Sequence, residues 1–165
     1  MKRGITRRER EVTDMDEILS ILDRAKIVHV GMIDGDMPYV VPLNYGYTME
    51  DGKLTLYAHG ANKGRKLDVL QANPKVFVEI DTDIVPFEGK VACEYGTCYS
   101  SIMGEGVAEV VTDVEGKKEG LKIFMKTQTG KDFEFIDKMV GGVAIIKIHV
   151  KEFTAKKRPM PNRAM

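Results

Sequence analysis

Two consecutive β-hairpins are predicted by residues 27–58, which read IVHVGMIDGDMPYVVPLNYGYTMEDGKLTLYA. Turn-forming residues at 34–36 and 50–52 separate three runs that are rich in β-branched and aromatic residues. Short turns of this kind join antiparallel strands, whereas parallel neighbours need a crossover of about a dozen residues or more. The segment therefore predicts an antiparallel sheet and argues against a doubly wound parallel sheet.

The middle run of this segment contains two prolines, Pro38 and Pro42. Proline has no backbone N–H and cannot donate a hydrogen bond to a neighbouring strand. We therefore expect this strand to be an edge strand, or to be bulged, at both positions.

The rest of the chain alternates short helices with further strands. Apolar spacing and stop signals predict helices over 15–24, 65–72 and 114–126, with a short piece after Asp132. Alternation predicts further strands over 75–81, 99–111 and 143–150. Residues 82–97 lack periodicity and are expected to form a long loop. The predicted class is mainly β (α+β), a small antiparallel barrel with three or four peripheral helices.

Length and composition indicate one globular domain over residues 1–165, with basic tails at about residues 1–12 and 154–165. Lys plus Arg and Asp plus Glu both number 25, so bulk charge favours neither a nucleic-acid partner nor a membrane surface. The longest stretch without a charged residue, 37–49, is too short to span a membrane. The N-terminus lacks the apolar segment of a secretory signal, and two cysteines suit a reducing compartment. We expect a cytoplasmic protein.

The most informative candidate site is the segment 57–66, YAHGANKGRK. Here a strand ends in a glycine-containing loop, and the loop leads into a helix whose first turn carries Arg65 and Lys66. Cations oppose the dipole at a helix N-terminus, and a bound anion would remove that conflict. On local chemistry alone, a solvated turn with exposed Lys and Arg is the commoner explanation.

The order of motifs along the chain resembles a known family. Gly64-Arg65-Lys66, followed by Asn73-Pro74 and a strand, is similar to the phosphate-binding helix of the pyridoxamine 5'-phosphate oxidase-like, FMN-binding split barrels. Within that superfamily the chain looks most like the nitroimidazole-resistance branch, the 5-nitroimidazole reductases. The supporting motifs are residues 38–47 (PYVVPLNYGY), His59, and 99–102 (YSSI) leading to Gly106. The resemblance covers roughly residues 7–153, and it rests on the order and spacing of the motifs.

The resemblance implies a split β-barrel that binds FMN, with FAD possible. Arg65 and Lys66 would hold the phosphate, and Gly64 stands where many split-barrel oxidases carry a serine. His59 would lie near the phosphate or the dimethylbenzene ring, and Ser101 would reach the flavin across a dimer interface. The isoalloxazine edge would be lined by backbone groups of Val41, Pro42, Leu43 and Asn44.

The function implied by the resemblance is that of a homodimeric FMN-dependent oxidoreductase. It would take electrons from NAD(P)H or another reduced carrier and pass them to a small electron-poor acceptor such as a nitroimidazole. The cofactor performs the electron step in such enzymes, so no catalytic side chain is assigned. The terminal Arg-x-His pattern of the vitamin B6 oxidases is absent, so that reaction is not expected.

Two alternatives stay open. The first is a non-enzymatic flavin carrier or redox sensor, or a haem-binding barrel that uses His59 or the C-terminal region. The second and weakest is a nucleic-acid-associated protein that uses its basic termini. No metal site is expected, because Cys93 and Cys98 lack a second pair and His29 and His149 read as histidines within sheet strands. A redox role of the two cysteines stays open beside the simpler interpretation of small buried side chains.

Overall fold

In a computed structural model, which describes residues 5–161, seven β-strands form one sheet. The strands are β1 (Glu11–Val12), β2 (Ile27–Asp34), β3 (Met37–Glu50), β4 (Lys53–Ala61), β5 (Lys75–Phe87), β6 (Gly96–Val111) and β7 (Val143–Arg158). The α-helices are α1 (Met15–Arg24), α2 (Arg65–Ala72), α3 (Val114–Thr129) and α4 (Asp137–Val140). Single 3-10 turns occur at Arg8–Arg10 and Ala92–Glu94.

The sheet closes on itself. Its strand order is β1-β7-β4-β3-β2-β5-β6, and β6 also pairs with β7. This additional pairing joins β2 to β7 into a ring, and every paired neighbour is antiparallel. The predicted class, a mainly β antiparallel barrel with peripheral helices, is confirmed.

The barrel encloses one core of aliphatic side chains that alternate along the strands. Helix α1 packs on this core through Ile18, Ile21 and Leu22, which are buried. Tyr45 of β3 is fully buried, and its hydroxyl donates a 2.7 Å hydrogen bond to the carbonyl of Leu22. Burial raises the pKa of the Tyr45 phenol. Its hydroxyl therefore stays protonated and joins α1 to the barrel wall.

The prediction of a long loop over 82–97 is wrong. Strand β5 continues to Phe87 and β6 begins at Gly96, with Phe87 directly opposite Gly96. The ladder shifts register between Thr82 and Val85, where Asp83 has a φ of 58°. This bulge interrupts the inward and outward alternation, so the sequence of the strand shows no period of two. The connection between the strands is confined to residues 88–95.

The basic tails expected at 1–12 and 154–165 are corrected in part. Glu11 and Val12 pair with Lys156 and Ala155 as strand β1, and β7 runs on to Arg158. Lys156, Lys157 and Arg158 lie in a ladder whose partner strands are distant in sequence, so local charge patterning cannot reveal it. Residues 1–4 and 162–165 of the expected tails lie outside the described residues.

Helix α3 crosses the barrel wall at close range. A Cβ placed on Gly46 of β3 would overlap the Phe124 Cα and lie 2.7 Å from the Ile123 carbonyl oxygen. Two further contacts fix the approach, because the Tyr47 N–H donates to the Thr127 hydroxyl at 3.2 Å and the Gln128 amide donates to the Tyr45 carbonyl at 2.7 Å. The backbones of helix and strand touch here because Gly46 has no side chain.

We expect Gly46→Ala to displace α3 and to lower the free energy of unfolding by about 1–3 kcal/mol, because its methyl group meets backbone atoms that cannot rotate away. Gly142→Ala is the matched control, since a Cβ there meets no atom within 4 Å. Urea unfolding of both variants measures the difference. Equal stability of the two variants would contradict the close approach of α3.

Candidate functional site

Strand β3 changes partners midway, and this opens a gap in the barrel wall. Residues 37–44 pair only with β2, whereas residues 45–50 pair with β4. Strand β4 runs past the last β3 pair, Tyr45 opposite Ala58, and residues 59–61 pair only with β7. The facing edges of 37–44 and 59–61 are therefore unpaired. We call this gap the split.

The prolines lie on the unpaired part of β3. Pro38 and Pro42 both belong to the half that has β2 as its single neighbour, so the predicted edge character is confirmed at both positions. It was not visible in the sequence that the same strand becomes an interior strand from Tyr45 onward. Because each residue of an antiparallel strand directs its backbone groups to one side only, alternate residues of 37–44 have no ladder partner.

The four β3 residues predicted to line a cofactor all belong to this free edge. Side chains of Val41 and Leu43 are half-buried and pack against the core, whereas Pro42 and Asn44 are exposed. The Asn44 amide donates to the Lys26 carbonyl at 3.1 Å, which fixes that end of the edge. The backbone of the edge can thus meet a flat ligand while the core side chains hold it in position.

Helix α2 begins beside the split with an unusual backbone. Gly64 precedes the helix with a φ of 138°, and no side chain caps the first turn. A residue with a side chain would be strained at that φ. The local backbone therefore favours glycine at this position. The Leu67 N–H already donates to the Gly64 carbonyl at 2.9 Å, whereas the N–H groups of Arg65 and Lys66 form no bond among the described residues, so these two can bind an anion.

Arg65 joins the start of α2 to the free edge. Its Nε lies 2.7 Å from Oδ2 of Asp34, and its guanidinium lies 4.3 Å above the centroid of the Tyr39 ring. Arg65 thus has a protein partner, Asp34, at the end of β2. The Arg65 side chain is 62% exposed, so its remaining N–H groups face solvent. Sequence reasoning assigned no role to Asp34 or Tyr39, and the position of Tyr39 between the two prolines was the available signal.

Lys66 approaches the other side of the split. Its Cε and Nζ lie 3.1 Å from the position that a Cβ on Gly60 would occupy, so its ammonium group runs along the backbone of β4. Within the described residues 5–161, Lys66 has no ion pair. The two cations of the predicted phosphate site therefore differ: Arg65 is already paired and Lys66 is available.

His59 lies at the mouth of the split on β4, where it is exposed. Its ring meets the ring of Phe124 edge to face, with centroids 4.5 Å apart. Ser101 is half-buried on β6, opposite Asp81 and Lys156, and strands β2 and β5 stand between it and β3. Within one chain Ser101 does not join the other predicted site residues. Its reach to a cofactor across a dimer stays a prediction.

The remaining histidines and cysteines are placed as follows. His29 Nδ1 lies 3.0 Å from Glu79 Oε2, and the two residues face each other across β2 and β5. Asp81 brings a third possible ligand atom within 4.8 Å of theirs, and burial together with Asp81 raises the pKa of Glu79. His149 contacts Glu109 at 3.2 Å.

Of the cysteines, Cys93 is exposed and Cys98 is buried, and they form no disulfide. None of these groups borders the split.

No helix among residues 5–161 has both the length and the apolar character needed to cross a membrane.

Comparison with known proteins agrees with this architecture. The family model of pyridoxamine 5'-phosphate oxidase matches residues 14–157. A candidate 5-nitroimidazole antibiotic resistance protein from Bacteroides thetaiotaomicron is 32% identical, over 89% of this chain and 86% of that one, with a TM-score of 0.75. A search of curated proteins found no match.

Two more distant structures share the fold. A flavocytochrome from Azotobacter vinelandii is 21% identical over 96% of this chain and 73% of its own, with a TM-score of 0.76. A FAD- and haem-binding protein from Mycobacterium smegmatis is 17% identical over 94% of this chain and 77% of its own, also at 0.76. The matched family model spans α1 to the end of the barrel, including the split and the start of α2. The chain thus belongs to the pyridoxamine 5'-phosphate oxidase family.

Proposed function

We propose that the split binds FMN, with FAD as the less favoured alternative. The observation that carries this proposal is the position of the Arg65 guanidinium above Tyr39, which brings the cationic start of α2 next to the unpaired edge of β3. A flavin mononucleotide has the same two parts, an anionic phosphate and a flat ring with hydrogen-bonding groups along one edge. The donor set fits both parts.

Each part of the split has its own task in this proposal. The Lys66 ammonium and the free guanidinium N–H groups of Arg65 bind the phosphate together with the backbone N–H groups of the same two residues. Backbone groups of residues 41–44 line the isoalloxazine edge. His59, held edge-on by Phe124, borders the mouth of the split.

The proposed activity is the reduction of a small electron-poor acceptor such as a nitroimidazole, with NAD(P)H or another reduced carrier as donor. Flavin supplies the hydride and electron chemistry when it is bound. The chain's residues bind and orient the flavin, and we assign no side chain of the described residues to the chemical step. The 32% identical relative bears the name of a 5-nitroimidazole resistance protein, which supports this acceptor class. Oxidation of pyridoxamine phosphate is not part of the proposal.

A second candidate is a haem-binding or electron-carrying protein. His59 supports it, because its ring is exposed at the split and makes no hydrogen bond within residues 5–161. Two structures of the same fold are described as a flavocytochrome and as a FAD- and haem-binding protein. A flavin carrier or redox sensor would use the same split without turnover.

We expect Arg65→Ala combined with Lys66→Ala to weaken FMN binding at least about a hundredfold, because two charge-assisted hydrogen bonds to the phosphate are lost. The charge-matched control is Lys53→Ala with Lys75→Ala, both exposed and outside the split. Fluorescence titration measures the affinity, and thermal melting shows that the barrel stays folded. Unchanged affinity in the first variant would refute the site.

We expect bound FMN to be reduced anaerobically by NADH or NADPH and reoxidised by a nitroimidazole, as followed by stopped-flow absorbance. The control is free FMN mixed with the variant that lacks Arg65 and Lys66, which should show slower reduction. Flavin that binds tightly and stays oxidised would move the assignment to a carrier or sensor. A Soret band in the purified protein would favour haem.

We further propose a homodimer that assembles through the outer face of β3, β2, β5 and β6. Its exposed large apolar side chains are Ile33, Val40, Phe77 and Met103. The ladder registers put Val40 and Phe77 on either side of Gly31, so these residues form a connected patch. Exposed apolar patches of this kind commonly mark interfaces. Ser101 lies on the same strands, which supports its proposed reach into a partner's split.

Sedimentation velocity should show a dimer whose dissociation constant falls as FMN is added, because a ligand held by both chains stabilises the dimer by linkage. Phe77→Glu should give a monomer with weakened FMN binding. Ile136→Glu, at a more exposed apolar residue outside this face, should leave the dimer intact. A monomer that binds FMN stoichiometrically at low micromolar concentration would rule out a shared site.

A further inference from the structure

A cavity of about 450 Å³, separate from the split, lies where β6 begins and β7 ends. It lies among α1, the bulge of β5, the beginning of β6 and the end of β7. It shares no residue with the split, and its volume falls within the range of small-molecule sites, about 300–1,000 Å³.

Four of the charged residues that line this cavity are paired with one another. Lys157 donates to Glu17 at 2.7 Å, and Arg24 makes two bonds to Asp83, at 3.0 and 2.7 Å. The buried Ser100 hydroxyl adds a third bond to Asp83, at 2.8 Å. These partners hold the pKa of Asp83 and of Glu17 below the ordinary carboxyl value, so both carboxylates are ionised at neutral pH. This polar wall is internally neutral.

Arg158 is the remaining charged residue of the lining, and it is fixed in place. Its guanidinium lies 4.8 Å from the centroid of the Phe87 ring, and both terminal nitrogens come within 2.8 Å of where a Cβ on Gly96 would stand. The guanidinium fits at this position because Gly96 has no side chain. No carboxylate of residues 5–161 forms an ion pair with Arg158. The cavity therefore has one oriented positive charge without a counter-charge.

The rest of the lining is mainly apolar and includes two polarisable sulfur atoms. Val85, Cys98 and Met160 contribute to it, and the Cys98 sulfur lies 3.8 Å from the Met160 sulfur. Tyr99 and Pro159 complete the lining. A ligand that matches both parts of the lining carries one negative charge at one end of an apolar or aromatic body.

We propose that this cavity binds a small monoanion with a flat apolar body, of the aromatic carboxylate class, whose carboxylate pairs with Arg158. The guanidinium presents a planar pair of donors to a carboxylate, and stacking on Phe87 keeps that plane in place before the ligand arrives. The cavity and the split of one chain share no residue, so we expect this ligand to bind both with and without FMN.

The test uses the full chain, with benzoate as probe and benzamide as its uncharged match, observed by saturation-transfer NMR at millimolar probe. Benzoate should bind more tightly than benzamide, both with and without FMN. Arg158→Gln should weaken benzoate at least about tenfold and leave benzamide unchanged, since one charge-assisted pair is lost. Lys151→Gln, which removes an exposed cation of the same strand outside the cavity, is the matched control and should change neither.

Further variants separate a local effect from loss of the fold. Arg158→Lys keeps the charge and should retain part of the preference for benzoate. Val85→Trp fills the cavity from a half-exposed position and should abolish binding of both probes. The proposal is overturned by benzoate binding that survives Arg158→Gln, by the absence of benzoate binding, or by its displacement with FMN. FMN affinity is measured in a separate experiment, so the benzoate result can still be interpreted if the flavin proposal fails.

Discussion

The partner change of β3 is the constraint on which the rest of the molecule depends. An antiparallel strand that kept β4 beside it along its whole length would close the wall and leave no edge for a ligand. Here the ladder stops at Tyr45 and Ala58, where the last turn of α3 takes over through the bond from Gln128 to the Tyr45 carbonyl. The close approach of α3 at Gly46 makes this possible. The barrel therefore remains closed through β6 and β7 while it opens at the split.

The sequence was sufficient to predict the elements governed by local chemistry. The α1 boundaries follow from the Asp14 cap and a single apolar face, and the two hairpins follow from their turn residues. It failed where pairing is decided by distant residues. The bulge at Asp83 hides the alternation of β5, and the cationic end of β7 is strand only because β1 and β6 lie beside it. Such ladders leave no local period to detect.

At the split, the sequence pointed to the cations and to the proline-interrupted edge but not to what connects them. Nothing in the spacing of Asp34, Tyr39 and Arg65 shows that a hairpin turn, a strand and a helix start meet there. Ser101 shows a different limit. The family resemblance predicts that it contacts the flavin, but in the single chain it lies on β6, three strands away from β3. A residue supplied by a second copy cannot be located from one chain's contacts.

The pairing of Arg65 with Asp34 changes how the split would receive a phosphate. An exposed ion pair of this kind contributes about 0.2–1 kcal/mol, because solvent screens it and the side chains lose freedom. A phosphate carries more charge and accepts charge-assisted bonds of about 1.5–3 kcal/mol, so it can draw the guanidinium's other donors without fully displacing Asp34. Stacking on Tyr39 keeps the group in place meanwhile. In the proposed complex Asp34 would be a positioning residue that orients Arg65 before binding, and Lys66 would contribute a charge that no ion pair within residues 5–161 neutralises.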